Sequence, residues 1–485
     1  MKMGRLLSAA RLRCAPNVAG AWRAILPIVR TADSGNDKPS EVMMMKNSMM
    51  SRRRFVQWSA LATVGWVAGC AVNPVTGEHQ LMLVSEKQEI DLDRQNSPHQ
   101  FSADYGPVLD NQLNAYLDRT GRRLAALSHR PQMPYSFRAV NANYINAYAF
   151  PGGSIAATRG ILLKMENEAG LAALLGHELG HVNARHTAAV MSKGQLTNLV
   201  LGGVAAAAGA GNSSYGKLAA QLGMLGSGVL LASYSRDNER QADALGMEYM
   251  VKAGYGPDGM VGLMDILNNM SKGHQSAAEL LFATHPMSSE RYRTAVKTAR
   301  SAYAADKGKP LYKERYMDHT AGLRRIKGAI ETMQKGEAAM GAEKYVEAEG
   351  LFQSALKQAP NDYAGLVLMA KCQLAQKKVD AAERCLRTAR EAYPREGQAL
   401  YLDGFVKLAK KEYAEALSRF AAYDKQLPGN PNTVFFKGMA YEGQGVRKSA
   451  AENYYAYLQA VNQGSNAQYA YNRLVEWGYI KKTSQ

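Results

Sequence analysis

Four columns of residues return every 34 positions across the last third of the chain, and they restrict its fold more than any other feature. Gly336, Ala370, Gly404 and Gly438 align, and so do Ala348, Ala382, Ala416 and Ala450. Bulky Phe352, Leu386, Phe420 and Tyr454 keep the same register, while Pro360, Pro394 and Pro428 close three of the units. Small residues let paired helices touch, a bulky residue fills the space beside them, and Pro cannot continue a helix. Stacked helix pairs are the fold these columns allow.

This period with these columns is the tetratricopeptide pattern. Residues 329–485 are expected to form such an α-solenoid, with a capping helix inside Gly464–Tyr479. A stack of this kind offers a groove to peptides or partner proteins and does no chemistry itself. Cys372 and Cys385 fall on the two helices of the second repeat, where a disulfide and two buried thiols are both open.

The chemistry lies upstream. Leu174-Leu-Gly-His177-Glu178-Leu-Gly-His181 carries H-E-x-x-H inside an apolar helical run. A spacing of four places His177 and His181 on one helix face about 6 Å apart along the axis, so both imidazoles can reach one zinc ion. Glu178 lies beside the metal, where it can take a proton from the attacking water and pass it to the leaving amine. His186 stands about 140° round a continuous helix from His181 and cannot share that face. The better third ligand is Glu239, in Glu239-Arg-Gln-Ala-Asp243. Glu239 and Asp243 share a face of a second helix, so Asp243 can accept the free N–H of a ligand histidine. The competing reading is a solvated charged face with Arg236 and Arg240.

Between these motifs the chain reads as helix with a little sheet. Ala71–Pro98 reads as an extended tether entering a helix around Glu86–Arg94, and Leu109, Leu113, Tyr116, Leu117 and Leu124 recur at helical spacing. Tyr135–Ala139 alternates like a strand, and Pro151-Gly-Gly153 punctuates two strand-like runs as at a hairpin. Two uncharged segments, Gly194–Gly216 and Leu218–Ser235, are too polar and too rich in Gly and Ala for membrane spans and read as buried or surface-lying helices. Asp306–His319 is charged and low in apolar residues, as in a linker.

The net charge of +17 invites a nucleic-acid or membrane reading. However, residues 1–69 hold 11 of the 59 Lys+Arg and 3 of the 42 Asp+Glu, so the excess is densest in the leader and no nucleic-acid partner is expected. Ser51-Arg-Arg-Arg-Phe-Val56 followed by an apolar run to Val67-Ala-Gly-Cys70 reads as a twin-arginine export signal ending in a lipobox. Cys70 would then be the lipidated mature N-terminus, and Ala71 behind it favours the outer membrane. Residues 1–42 read as an upstream extension, with translation starting within the Met43–Met50 cluster.

His177-Glu-x-x-His181 with Glu239-x-x-Ala242-Asp243 resembles the CAAX-prenyl-protease-like zinc metallopeptidases, a group of gluzincins. The resemblance extends from Cys70 to about Arg300 through Asn73-Pro-Val-Thr-Gly77, Leu81-Met-Leu-Val-Ser85, Asn146-Ala-Tyr-Ala-Phe-Pro-Gly-Gly153 and Thr284-His-Pro286. It implies that His285 and Arg291 sit on a loop by the zinc, there to stabilise the oxyanion or to gate the site. It also implies that Asn146, Ala147, Tyr148 and Ala149 form an edge strand that pairs with substrate backbone.

The expected fold class is mainly α with a small β-sheet. A signal at 43–70 precedes a zincin-type metallopeptidase domain at 71–305, a linker at 306–328 and the repeats. The expected cofactor is one zinc ion per chain. The expected function is an exported, lipid-anchored periplasmic endopeptidase that degrades misfolded or stalled outer-membrane proteins. Its repeats would recruit unfolded envelope proteins or the outer-membrane β-barrel assembly machinery. The rival is a periplasmic chaperone or scaffold. Glu178 argues against it, because a purely structural zinc site needs no base and usually has four protein ligands.

Overall fold

The computed structural model describes residues 70–201, 233–273 and 276–481. The upstream extension and the signal lie outside these residues apart from Cys70, and so does most of the two uncharged segments, Gly194–Gly216 and Leu218–Ser235. No helix among the described residues is long and apolar enough to cross a membrane.

The expected tether is a hairpin. β1 (Cys70–Val72) pairs antiparallel with β2 (His79–Leu81). Asn73 turns the chain between them, its Oδ1 accepting the Val75 N–H at 2.8 Å, and Gly77 takes φ 70°. Ser85 and Gln88 form a capping box for α1 (Glu86–Ala103), which runs through Pro98 well past Arg94. Asp110 caps α2 (Asn111–Ala125), leaving Leu109 exposed ahead of the helix.

Helix α2 packs on a three-stranded sheet of β3 (Ser136–Val140), β4 (Ala147–Ala149) and β5 (Ser154–Thr158) in the order β3-β5-β4. β3 runs parallel to β5 with Ser136 opposite Ser154, and β4 runs antiparallel with Ala147 opposite Ala157. The Pro151-Gly-Gly153 turn joins β4 and β5. A Cβ on Gly152 would sit 2.5 Å from Cβ of Asp93, so α1 can lie this close only to glycine. Strand alternation splits the sheet. Phe137, Ala147, Ala149, Ile155 and Ala157 join the main core, while Val140, Tyr148 and Ala156 join a smaller cluster with Phe101, Tyr144 and Leu280.

After β5 come α3 (Arg159–Leu162), α4 (Glu168–Asn183), α5 (His186–Leu201), α6 (Arg236–Lys252), α7 (Asp258–Lys272), α8 (Glu279–Thr284) and α9 (Ser289–Arg300). Every residue of α4 is buried. Residues 306–328 contain two short helices, α10 (Lys313–His319) and α11 (Ala321–Arg325), that lie against this core. Tyr316 donates to the Leu162 carbonyl at 2.6 Å, and Arg315 grips Glu168 at the start of α4.

The repeats follow the 34-residue register. Their pairs are α12 (Lys327–Gly341) with α13 (Tyr345–Gln358), α14 (Tyr363–Ala375) with α15 (Val379–Ala392), α16 (Gln398–Ala409) with α17 (Tyr413–Gln426), and α18 (Pro431–Gly443) with α19 (Arg447–Ala460). Helix α20 (Ser465–Glu476) caps the stack. All four column alanines at 348, 382, 416 and 450 and all four bulky partners are fully buried. A Cβ on Gly336, Gly404 or Gly438 would lie 2.5–2.7 Å from the ring of Phe352, Phe420 or Tyr454, which explains the small column physically. Cys372 and Cys385 are free thiols.

Candidate metal centre

Two helices build the centre because glycine and alanine let their backbones meet. A Cβ on Gly176 would sit 2.9 Å from the Gly246 carbonyl, and one on Gly180 would sit 2.9 Å from Cα of Ala242. The small residues spaced through both motifs are thus the contact surface of α4 and α6. That contact carries His177, Glu178 and His181 on one helix against Glu239 and Asp243 on the other.

Four donors converge. His177 Nε2 lies 3.1 Å from His181 Nε2 and 3.6 Å from Glu239 Oε2. His181 Nε2 is 3.4 Å from Glu239 Oε1, and His285 Nδ1 is 3.1 Å from that oxygen and 3.5 Å from His177 Nε2. All four ligand atoms fall within 4.8 Å of one another, and all four residues are buried. Three imidazole nitrogens and one carboxylate, with no sulfur, make a donor set that suits zinc. Glu239 is therefore not part of a solvated face. Glu178 stands beside the group, its Oε1 3.9 Å from His285 Nε2. Burial pushes its carboxyl up from the ordinary range, with the charges of His285 and His177 opposing.

Outer partners fix the ligands. Asp243 Oδ1 lies 2.9 Å from His177 Nδ1, which directs the Nε2 lone pair inward. Arg291 grips Asp243 with two bonds of 2.7 and 2.8 Å, reaches Glu239 Oε2 at 2.7 Å and donates to the Pro286 carbonyl at 3.0 Å. Arg291 stands in the first turn of α9 and not on the expected loop, and in this geometry it orients the acidic residues and the His285 loop. Burial works against ionisation of Asp243, but the Arg291 fork and His177 hold its carboxyl below the usual range.

His186 has a place that the helical-wheel argument misses. Helix α4 stops at Asn183, and Arg185 takes φ 57°, so His186 opens a separate helix. It remains outside the donor group, as expected, but its Nδ1 lies 2.9 Å from His181 Nδ1 and its Nε2 lies 2.9 Å from Gln241 Oε1. The Gln241 oxygen can only accept, so His186 Nε2 carries a proton and its Nδ1 accepts one from His181. That chain leaves the His181 Nε2 lone pair for the metal. Tyr234 stacks on the His181 ring with centroids 3.8 Å apart. Gln241→Leu should therefore weaken zinc binding about 10–100-fold, as loss of an outer hydrogen-bond partner does. Competition with a chromophoric chelator measures this directly, and unchanged affinity would remove Gln241 from the site.

The expected substrate residues lie in β4 and just before it. Thr158 N bonds the Asn146 carbonyl and Phe150 N bonds the Ser154 carbonyl, so residues 146, 148 and 150 face β5. Ala147 and Ala149 therefore turn their N–H and C=O to the outer edge. Neither polar atom of the Asn146 side chain has a hydrogen-bond partner among the described residues, although the residue is fully buried.

Residues 111–299, which hold every ligand and partner above, match peptidase family M48, and residues 339–402 match a tetratricopeptide repeat. The β-barrel assembly-enhancing protease of Yersinia pestis is 28% identical over 375 residues, covering 70% of this chain and 74% of that protein. Its namesake from Escherichia coli K12 is 26% identical, covering 59% of this chain and 63% of that protein. The mitochondrial metalloendopeptidase OMA1 of Schizosaccharomyces pombe is 29% identical over 37% of this chain and 50% of that protein. The chain thus carries a peptidase family M48 domain followed by tetratricopeptide repeats, and it is a metalloendopeptidase homologous to the β-barrel assembly-enhancing proteases.

Proposed function

We propose that this chain is an exported zinc endopeptidase that removes misfolded or stalled outer-membrane proteins, held to the membrane by lipid on Cys70. The observation that carries the reading is a buried donor group with a carboxylate beside it and a one-sided β-strand close by. His177, His181 and Glu239 hold the metal, which when bound supplies Lewis acidity at the scissile carbonyl and the attacking water. Glu178 takes the proton from that water and delivers it to the leaving amine. Ala147 and Ala149 bind substrate main chain, so affinity comes from backbone and sequence preference is loose. Unassembled barrel strands expose such backbone, and the relatives named for barrel assembly point to the same clients. The repeats would bring those clients or the assembly machinery to the site. Incubating the mature chain with an unfolded and a folded outer-membrane barrel tests this. The unfolded protein should be cut and the folded one spared; binding of the unfolded protein without any cleavage would favour the scaffold.

Between the two roles open to His285, the geometry favours the gate. Its Nδ1 sits among the metal donors, and the segment leading to it runs beside the start of β4. Ile145 N bonds the Ala277 carbonyl at 2.7 Å, and Leu280 packs in the cluster that holds Tyr148. Substrate therefore enters only when this segment lifts and His285 leaves. His285→Ala should keep or raise kcat/KM on an unfolded protein. A fall of about 10²–10³ would instead mark an oxyanion donor.

A further inference from the structure

The turn after α1 belongs to both halves of the molecule. Tyr105 and Gly106 follow the helix with φ 64° and 75°. A tyrosine holds left-handed backbone only where its surroundings over-determine it. Here the surroundings are the repeats: Tyr105 is fully buried and joins the apolar cluster of Met333, Val367 and Leu402, away from the peptidase core. Lys371 on α14 places Nζ 4.5 Å from the centre of its ring and 3.3 Å from its hydroxyl. Glu396 accepts the Ser102 hydroxyl, and Gln398 Nε2 donates to the Ser102 carbonyl at 2.9 Å. A Cβ on Gly106 would sit 2.7 Å from Cγ of Glu396, so the turn cannot move toward α16.

The same turn reaches the sheet. Asp104, fully buried, accepts the Tyr144 hydroxyl at 2.8 Å, the Tyr148 hydroxyl at 2.5 Å and the Gln100 amide at 3.0 Å. Tyr148 is the middle residue of β4. That strand has three residues, pairs with a neighbour on one side only among the described residues, and carries alanine on either side of Tyr148. Alanine offers little to anchor, whereas a hydroxyl bonded to a buried carboxylate is a strong and directional tie.

We propose that the repeats position the substrate strand through this turn, with Lys371 and Glu396 clamping Ser102–Gly106 and Asp104 holding β4 by the Tyr148 hydroxyl. Asp104, Lys371 and Glu396 are then positioning residues: they touch neither the metal group nor substrate, and they act by fixing where Ala147 and Ala149 meet the incoming backbone. A network that only docked the two domains would need no bond to β4. The inference rests on the reading of β4 as the substrate strand.

The test uses the full chain, casein as unfolded substrate, and separate kcat and KM with zinc content and thermal midpoint recorded. Lys371→Met keeps the apolar stem and removes the amine that donates to Tyr105; Asp104→Asn keeps the shape and carries the test if Lys371→Met does not fold. Each should raise KM about tenfold, the effect of one lost hydrogen bond to a charged group. Zinc content should hold and kcat should change by less than about twofold. Tyr148→Phe should give the same rise, and adding Lys371→Met to it should add nothing, because both break one chain of contacts. Folded Lys371→Met and Asp104→Asn proteins with unchanged KM would overturn the inference. Ala149→Pro removes an outward N–H without touching the ladder and isolates the underlying reading. Unchanged KM in that variant defeats the substrate strand itself, whereas a raised KM there with wild-type behaviour in Lys371→Met defeats only the link from the repeats.

Discussion

Glu178→Gln should leave a protein that folds and loads zinc normally and hydrolyses unfolded protein at least about 10³ times more slowly, within the range that a positioned general base supplies. Glutamine matches the shape of the glutamate, so the fully packed α4 is undisturbed. The substitution removes the one property the site needs, a carboxylate able to accept and return a proton. Glu178 lies outside the donor group, and its Oε2 has no hydrogen-bond partner among the described residues. No metal ligand is therefore lost. Casein hydrolysis, with zinc measured on the same samples, decides the matter. Equal rates from both forms would place the base elsewhere, and equal inactivity with intact binding would turn the protein into a scaffold. An inactive, zinc-loaded form also retains its clients, so the envelope proteins that co-purify with it identify the substrates.

The parts of this site written in local spacing were legible. Four residues is one helical turn, so H-E-x-x-H and Glu239-x-x-x-Asp243 each announce a shared face without knowledge of the fold. The repeats were legible for the same reason, since a 34-residue period shows through four independent columns. What stayed hidden depends on backbone choices that the residue types do not advertise. The turns inside the repeat pairs use left-handed Glu343, Lys377 and Lys411, and only the last uses Gly445. Arg185 ends α4 with φ 57° where arginine gives no such signal, so a wheel drawn through it misplaces His186 and hides its bond to His181. The hairpin at Cys70–Leu81 read as a tether because its strands have three residues each, too few for alternation to show. The seat of the repeats on the peptidase domain depends on Tyr105, Lys371 and Glu396, which are far apart in sequence and follow no period.

Glu239→Ala should abolish stoichiometric zinc binding, with a larger loss than Gln241→Leu, because it removes a ligand and unbalances the charge behind it. Glu239 is the only anion in the donor group, and its oxygens reach all three ring nitrogens. Arg291 Nη1 approaches Glu239 Oε2 at 2.7 Å, a contact that is favourable only while a carboxylate separates guanidinium from metal. In the alanine variant Arg291 keeps its fork on Asp243, but no carboxylate stands between its Nη1 and the metal, and two positive charges brought close in a poorly hydrated interior repel. Affinity should fall well beyond the roughly 10–100-fold cost of an outer partner. Glu239→Gln, which keeps an oxygen donor and loses the charge, should fall between the alanine variant and wild type and separates the two contributions. Thermal unfolding supplies a readout independent of turnover: excess zinc raises the midpoint of a protein that binds it only when folded. Wild type should shift, and Glu239→Ala should not. If the alanine variant instead bound zinc fully, the ligands would be the three histidines, and the Glu239–Asp243 helix would serve the site only by packing Ala242 and Gly246 against α4.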